Sequence, residues 1–135
     1  MIVLNNALVI TQPQILRATI TTTMVTCFGA DDGIISITNP LGGYGTYEYS
    51  IDGGLNWQGS GTFINQQPAT YDVRMRDALY NGCVVTLNPQ LVITEPAELN
   101  AVVTTVDITC NGANNGRITI SNPTGGYGTY DYSID

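Results

Sequence analysis

The residues of this 135-residue chain best suited to covalent chemistry are three thiols, Cys27, Cys83 and Cys110. The chain contains no histidine and no lysine, and that bounds what the thiols can do. Cysteine and serine nucleophiles lack their usual base, the commonest zinc ligand is missing, and neither a Schiff base nor a P-loop lysine is available. Paired carboxylates could still do acid–base work, with Glu48 and Asp52 the nearest candidates, but most acids fall in turns or at outward strand positions. The sequence reads as non-enzymatic, with no catalytic residue and no required cofactor.

Two further groups could hold a ligand. Asp31 and Asp32 in "GADDG" offer oxygens to calcium, as extracellular β-repeats often do at their joints. Asn114 and Asn115 stand at the matching place in a second copy, and no complete D-x-[DN]-x-[DN]-G loop is present, so a polar turn before a strand is the competing reading. Tyr44 and Tyr127, each in a "GGYG" stretch, could stack on a sugar ring, or could cap a domain end and pack on the next one. Four arginines against eleven acids give a formal charge of −7, which argues against nucleic acid as a partner.

These residues sit in a repeat. "GGYGTYEYSID" from 42 and "GGYGTYDYSID" from 125 are 83 positions apart, as are Cys27 and Cys110, and "LVITQP" and "LVITEP". The period predicts a C-terminal strand of a preceding repeat over 1–13, a complete repeat over 14–96, and the N-terminal part of another over 97–135. The last segment should lack its closing strands, so a longer polypeptide, or another chain, is expected to complete it. Cys27 and Cys83 then fall in one repeat, and the partner of Cys110 falls outside the fragment. A Cys27–Cys83 disulfide would contribute roughly 4 kcal/mol in the chain-entropy account and imply an extracytoplasmic location. Three reduced cysteines are the alternative.

The elements that must position these groups are strands. Tyr47, Tyr49 and Ile51 alternate with polar neighbours, and Tyr71, Val73 and Met75 alternate with Asp72, Arg74 and Arg76, which gives one buried and one wet face. "DGG" at 52, "NPLGG" at 39 and "YNGC" at 80 mark turns. About seven short strands per repeat predict an all-β fold of tandem immunoglobulin-like sandwiches. Tyr71 is expected to form a tyrosine corner, Trp57 to cover a core edge, and Arg74 and Arg76 to face acids. "MIVLNNALVI" lacks a basic start and reads as a strand rather than a signal peptide, and no run is long enough to span a bilayer. With Pro96 stiffening the junction, stacked repeats would form a rod gaining on the order of 35–40 Å each.

The motifs "C-x-G-A-x-x-G-x-I-x-I", "GGYGTYEYSIDGGLNWQ", "ATYDVRMRDALYNGC" and "LVITEP" together resemble the SprB repeat of gliding-motility adhesins and related giant surface proteins of gliding bacteria. The resemblance covers essentially the whole chain. It implies a cell-surface filament of tandem β-sandwiches, exported by type IX secretion, moved by an envelope motor, and gripping the substratum. The partners so implied are neighbouring repeats, the envelope machinery acting through other parts of the protein, and surface polysaccharide. A glycan-binding module and an ancillary domain of a large secreted enzyme are the alternative functions.

Overall fold

The computed structural model describes residues 7–135 and contains, among them, eight strands and no helix. Strands β1 (Arg17–Thr23), β2 (Gly33–Leu41) and β4 (Thr62–Gln66) form one sheet in the order β1-β2-β4. Strands β3 (Tyr47–Ser50), β5 (Ala69–Asp77) and β6 (Val84–Ile93) form a second, in the order β3-β5-β6. Strands β7 (Asn100–Val106) and β8 (Arg117–Thr124) pair by themselves. Of the strand expected over 1–13, residues 1–6 lie outside the described residues and 7–13 have no strand assignment.

The two three-stranded sheets share one core, and period-two alternation selects its members. On β5, Val73, Met75 and Asp77 are buried while Arg74 and Arg76 between them are half-exposed. Leu16, Ile37, Tyr49, Val73 and Met75 form the centre, with Ile20, Phe63, Leu87 and Leu91 packed around it. Each fully buried aliphatic side chain contributes about 1.5–3 kcal/mol, so this cluster is the main source of stability. β3 and β5 run antiparallel with Glu48 opposite Arg76 and Tyr49 opposite Met75. Six strands, rather than seven, lie between residues 14 and 96. Between β3 and β4 the chain returns along β3 at an isolated bridge between Gln58 and Tyr49.

The chain divides into two compact units. The first gathers residues up to Thr22 with Ile35–Phe63 and Thr70–Val92, and holds the core just described. The second gathers Thr23–Ile34, Ile64–Ala69 and Ile93–Asp135, so two loops from the first repeat cluster with β7 and β8. Residues 83 apart adopt matching backbones: φ is 51° at Asp31 and 49° at Asn114, 52° at Asn39 and 49° at Asn122, 90° at Gly42 and 82° at Gly125. Burial differs. Ile35 is 0% exposed, whereas Ile118, at the matching place on β8, is 53% exposed, because a two-stranded layer has no facing sheet.

Candidate functional site

In the first unit, candidate side chains converge where the "GGYG" loop meets the end of β5. Gly42 has φ 90°, and a Cβ there would fall 2.2 Å from the Ile15 carbonyl, so only glycine lets the loop lie this close to the segment entering β1. Gly43 N–H donates to the Gln14 carbonyl at 2.9 Å. Tyr44 N–H donates to Asp77 Oδ2 at 2.5 Å, and the N–H groups of Leu79 and Tyr80 donate to Oδ1 at 2.9 and 3.2 Å. Asp77 is buried, and these backbone donors, Tyr44's foremost, hold its carboxyl below the usual range. One carboxylate thereby locks the "GGYG" loop to the turn after β5. The Tyr44 and Tyr80 rings meet with centroids 4.5 Å apart and planes tilted by 43°. Cys83 closes the same turn, its N–H donating to the Tyr80 carbonyl at 2.8 Å.

In the second unit, Cys27 sits in a loop braced from several directions. Val25 N–H donates to the Thr94 carbonyl at 3.0 Å, Gly29 N–H to Glu95 Oε2 at 2.7 Å, and Ala30 N–H to the Cys27 carbonyl at 3.1 Å. Asp32 accepts from Thr26 N–H at 2.8 Å and from the Thr26 hydroxyl at 2.5 Å, and these bonds, the hydroxyl's first, lower its pKa. Asn115 makes the same brace to Thr109 in the second copy, accepting from N–H at 3.0 Å and donating to the hydroxyl at 2.8 Å. The exchange of Asp for Asn therefore preserves a loop clasp, which matches the polar-turn reading. Asp31 accepts instead from Gln67 Nε2 at 3.2 Å. Among the described residues no three His, Cys, Asp or Glu side chains gather closely enough to hold a metal.

The expected Cys27–Cys83 disulfide is not formed; Cys27, Cys83 and Cys110 are all exposed free thiols. Cys83 immediately precedes β6, while the Cys27 loop bonds to Thr94 and Glu95 immediately after it.

The remaining candidates have structural partners. Trp57 is half-buried, donates from Nε1 to the Gly54 carbonyl at 2.8 Å, and carries the Arg76 guanidinium 4.4 Å above its ring. Arg76 also pairs with Glu48 across the strands at 2.6 Å, and Arg74 pairs with Asp72 on its own strand at 2.6 Å. Burial would raise the Asp52 pKa, but donors from Asn56, Ser50 and Leu55 outweigh it and hold the carboxyl at about 2. Asp52 is thus committed to its hairpin. Tyr71 packs its ring against the core. A back-bond of the tyrosine-corner kind is made by Tyr47, whose hydroxyl donates to the Gly42 carbonyl at 2.9 Å, and by Tyr130 to Gly125 at 2.8 Å. Tyr127 is 72% exposed, yet its hydroxyl donates to the Val25 carbonyl at 2.9 Å.

The family model for the SprB repeat matches residues 19–56 and 102–135, together more than half of the chain. No curated protein and no solved structure matches it significantly.

Proposed function

Because the chain belongs to the SprB repeat family, a repeat of adhesin-like cell-surface proteins, we propose that it is a structural and adhesive segment of a long surface filament whose role is length, exposure and grip on a substratum. The two family matches carry this reading. It is supported by the recurrence of local architecture: Gly126 N–H donates to the Ala97 carbonyl at 2.8 Å as Gly43 does to Gln14, and Tyr130 bonds Gly125 as Tyr47 bonds Gly42. A segment that repeats its loops and turns, and commits its acids to bracing them, is suited to transmitting load. Gliding motility, with export by type IX secretion and movement by an envelope motor, is the setting in which such a filament would work.

Antibodies raised against this chain test the reading. They should label intact cells, and monovalent fragments should reduce attachment to glass. Labelling only after permeabilisation would defeat the surface assignment, and surface labelling with unchanged attachment would leave a display role without adhesion. The exposed Tyr44 and Tyr80 rings favour glycan binding as a second reading. Under it, Tyr44→Ala abolishes retention on a polysaccharide column while the thermal midpoint stays within a few degrees.

A further inference from the structure

The three exposed thiols have a common explanation in the repeat geometry. We propose that in a tandem array Cys27 forms a disulfide with the cysteine standing 83 positions after Cys83, so that a covalent link spans the junction between neighbouring repeats. The proposal rests on the tandem-array reading but not on adhesion.

In the first unit Cys83 borders a recess with Pro13, Leu16 and Gly43. Moved on by one period, those three become Pro96, Leu99 and Gly126. These same residues, with Cys27 and Phe28, line a recess of about 490 Å³ in the second unit. The place that the next repeat's counterpart of Cys83 would take therefore opens onto a space that Cys27 already borders. A chain of contacts leads to the same place. Tyr127 donates its hydroxyl to Val25, two residues before Cys27. Its counterpart Tyr44 packs its ring against Tyr80, and Tyr80 is tied to Cys83 through a 2.8 Å turn bond. Completing the second repeat in the image of the first would pack a tyrosine ring against Tyr127 and bring the cysteine three residues later against the Cys27 loop. Each thiol in this chain is free because its mate belongs to an adjoining repeat.

The bond forms by thiol–disulfide exchange with a protein disulfide oxidant of the secretory route. One thiolate attacks the oxidant's disulfide and expels a thiolate. The second cysteine, deprotonated, attacks the mixed disulfide and releases the oxidant as a dithiol. Two thiols lose two protons and two electrons, and the oxidant's disulfide takes up both electrons.

The experiment appends residues 53–96 of this chain after Asp135, which completes the second repeat and supplies the required cysteine. The extended chain is oxidised with glutathione disulfide and protein disulfide isomerase, then mapped by non-reducing peptide mass spectrometry. The expected link joins Cys27 to the appended cysteine, leaving Cys83 and Cys110 reactive. Cys27→Ser should free the appended thiol, and Cys83→Ser should leave the link in place. A Cys27–Cys83 link, a link from Cys110 to the appended cysteine, or four free thiols in a chain with an intact β-sheet circular dichroism spectrum would each overturn the proposal. Small-angle scattering of the same sample separates the two ideas, since an elongated two-repeat particle with free thiols sinks the link and spares the array.

Discussion

At the scale of single residues, Asp77 is the group on which the loop end depends most. Its carboxylate satisfies three backbone donors from two segments, and no other side chain at that place is short enough and anionic to do so. Asp77→Ala should lower the thermal midpoint by several degrees, read by circular dichroism, and loosen Tyr44 from Tyr80. The pH dependence has a definite sign. Asp77 and Asp52 are more acidic in the folded chain than the ordinary carboxylate near ~3.9. The unfolded chain therefore binds more protons as pH falls below about 4, and stability is lost progressively toward the Asp52 value of about 2. With no histidine, denaturation midpoints should stay flat between about pH 5 and 8. Gly42→Ala should cost more than about 1 kcal/mol, because the alanine would need φ near 90° and its Cβ would meet the Ile15 carbonyl. Asp77 escaped the sequence reading because alternation was followed only as far as Arg76. An acid at the next inward position, just before the turn-forming "YNGC", was the signal that could have found it.

At the scale of elements, period-two patterning made β2, β3 and β5 legible, since one burial face per strand leaves little freedom of register. The strand number was less so. Gln58 pairs with Tyr49 at an isolated bridge, and nothing in "NWQGSG" distinguishes a paired strand from a loop that grazes one. Back-bonds of the tyrosine-corner kind made by Tyr47 and Tyr130, each five residues after its glycine acceptor, were not read from the sequence, although the recurring "GGYGTY" carried them. The β3–β5 pair also ranks two kinds of contact. Glu48→Gln should cost less than about 1 kcal/mol, since the Arg76 pair is partly solvated. Met75→Ala, opposite Tyr49 in the core, should cost about 2–5 kcal/mol. Urea denaturation of both variants checks the order, and equal costs would mean that the ion pair contributes far more than its exposure allows.

At the scale of the whole molecule, the repeat was evident from the sequence because eleven-residue identities with one substitution are hard to miss. The cysteine pairing was not legible in the same way: a repeat counted along the chain puts Cys27 and Cys83 in one unit of sequence, whereas both are free, exposed thiols in the structure. Ile118 on β8 shows what the sequence pattern could not, that an apolar alternation buries a residue only when a second layer faces it. On the proposed reading such repeats stack in tandem on the cell surface. Its most direct test is electron microscopy of the natural polypeptide, measuring contour length against the number of repeats. Contour length should rise linearly, by about 35–40 Å for each 83 residues. A compact particle whose longest dimension barely grows as repeats are added would contradict it.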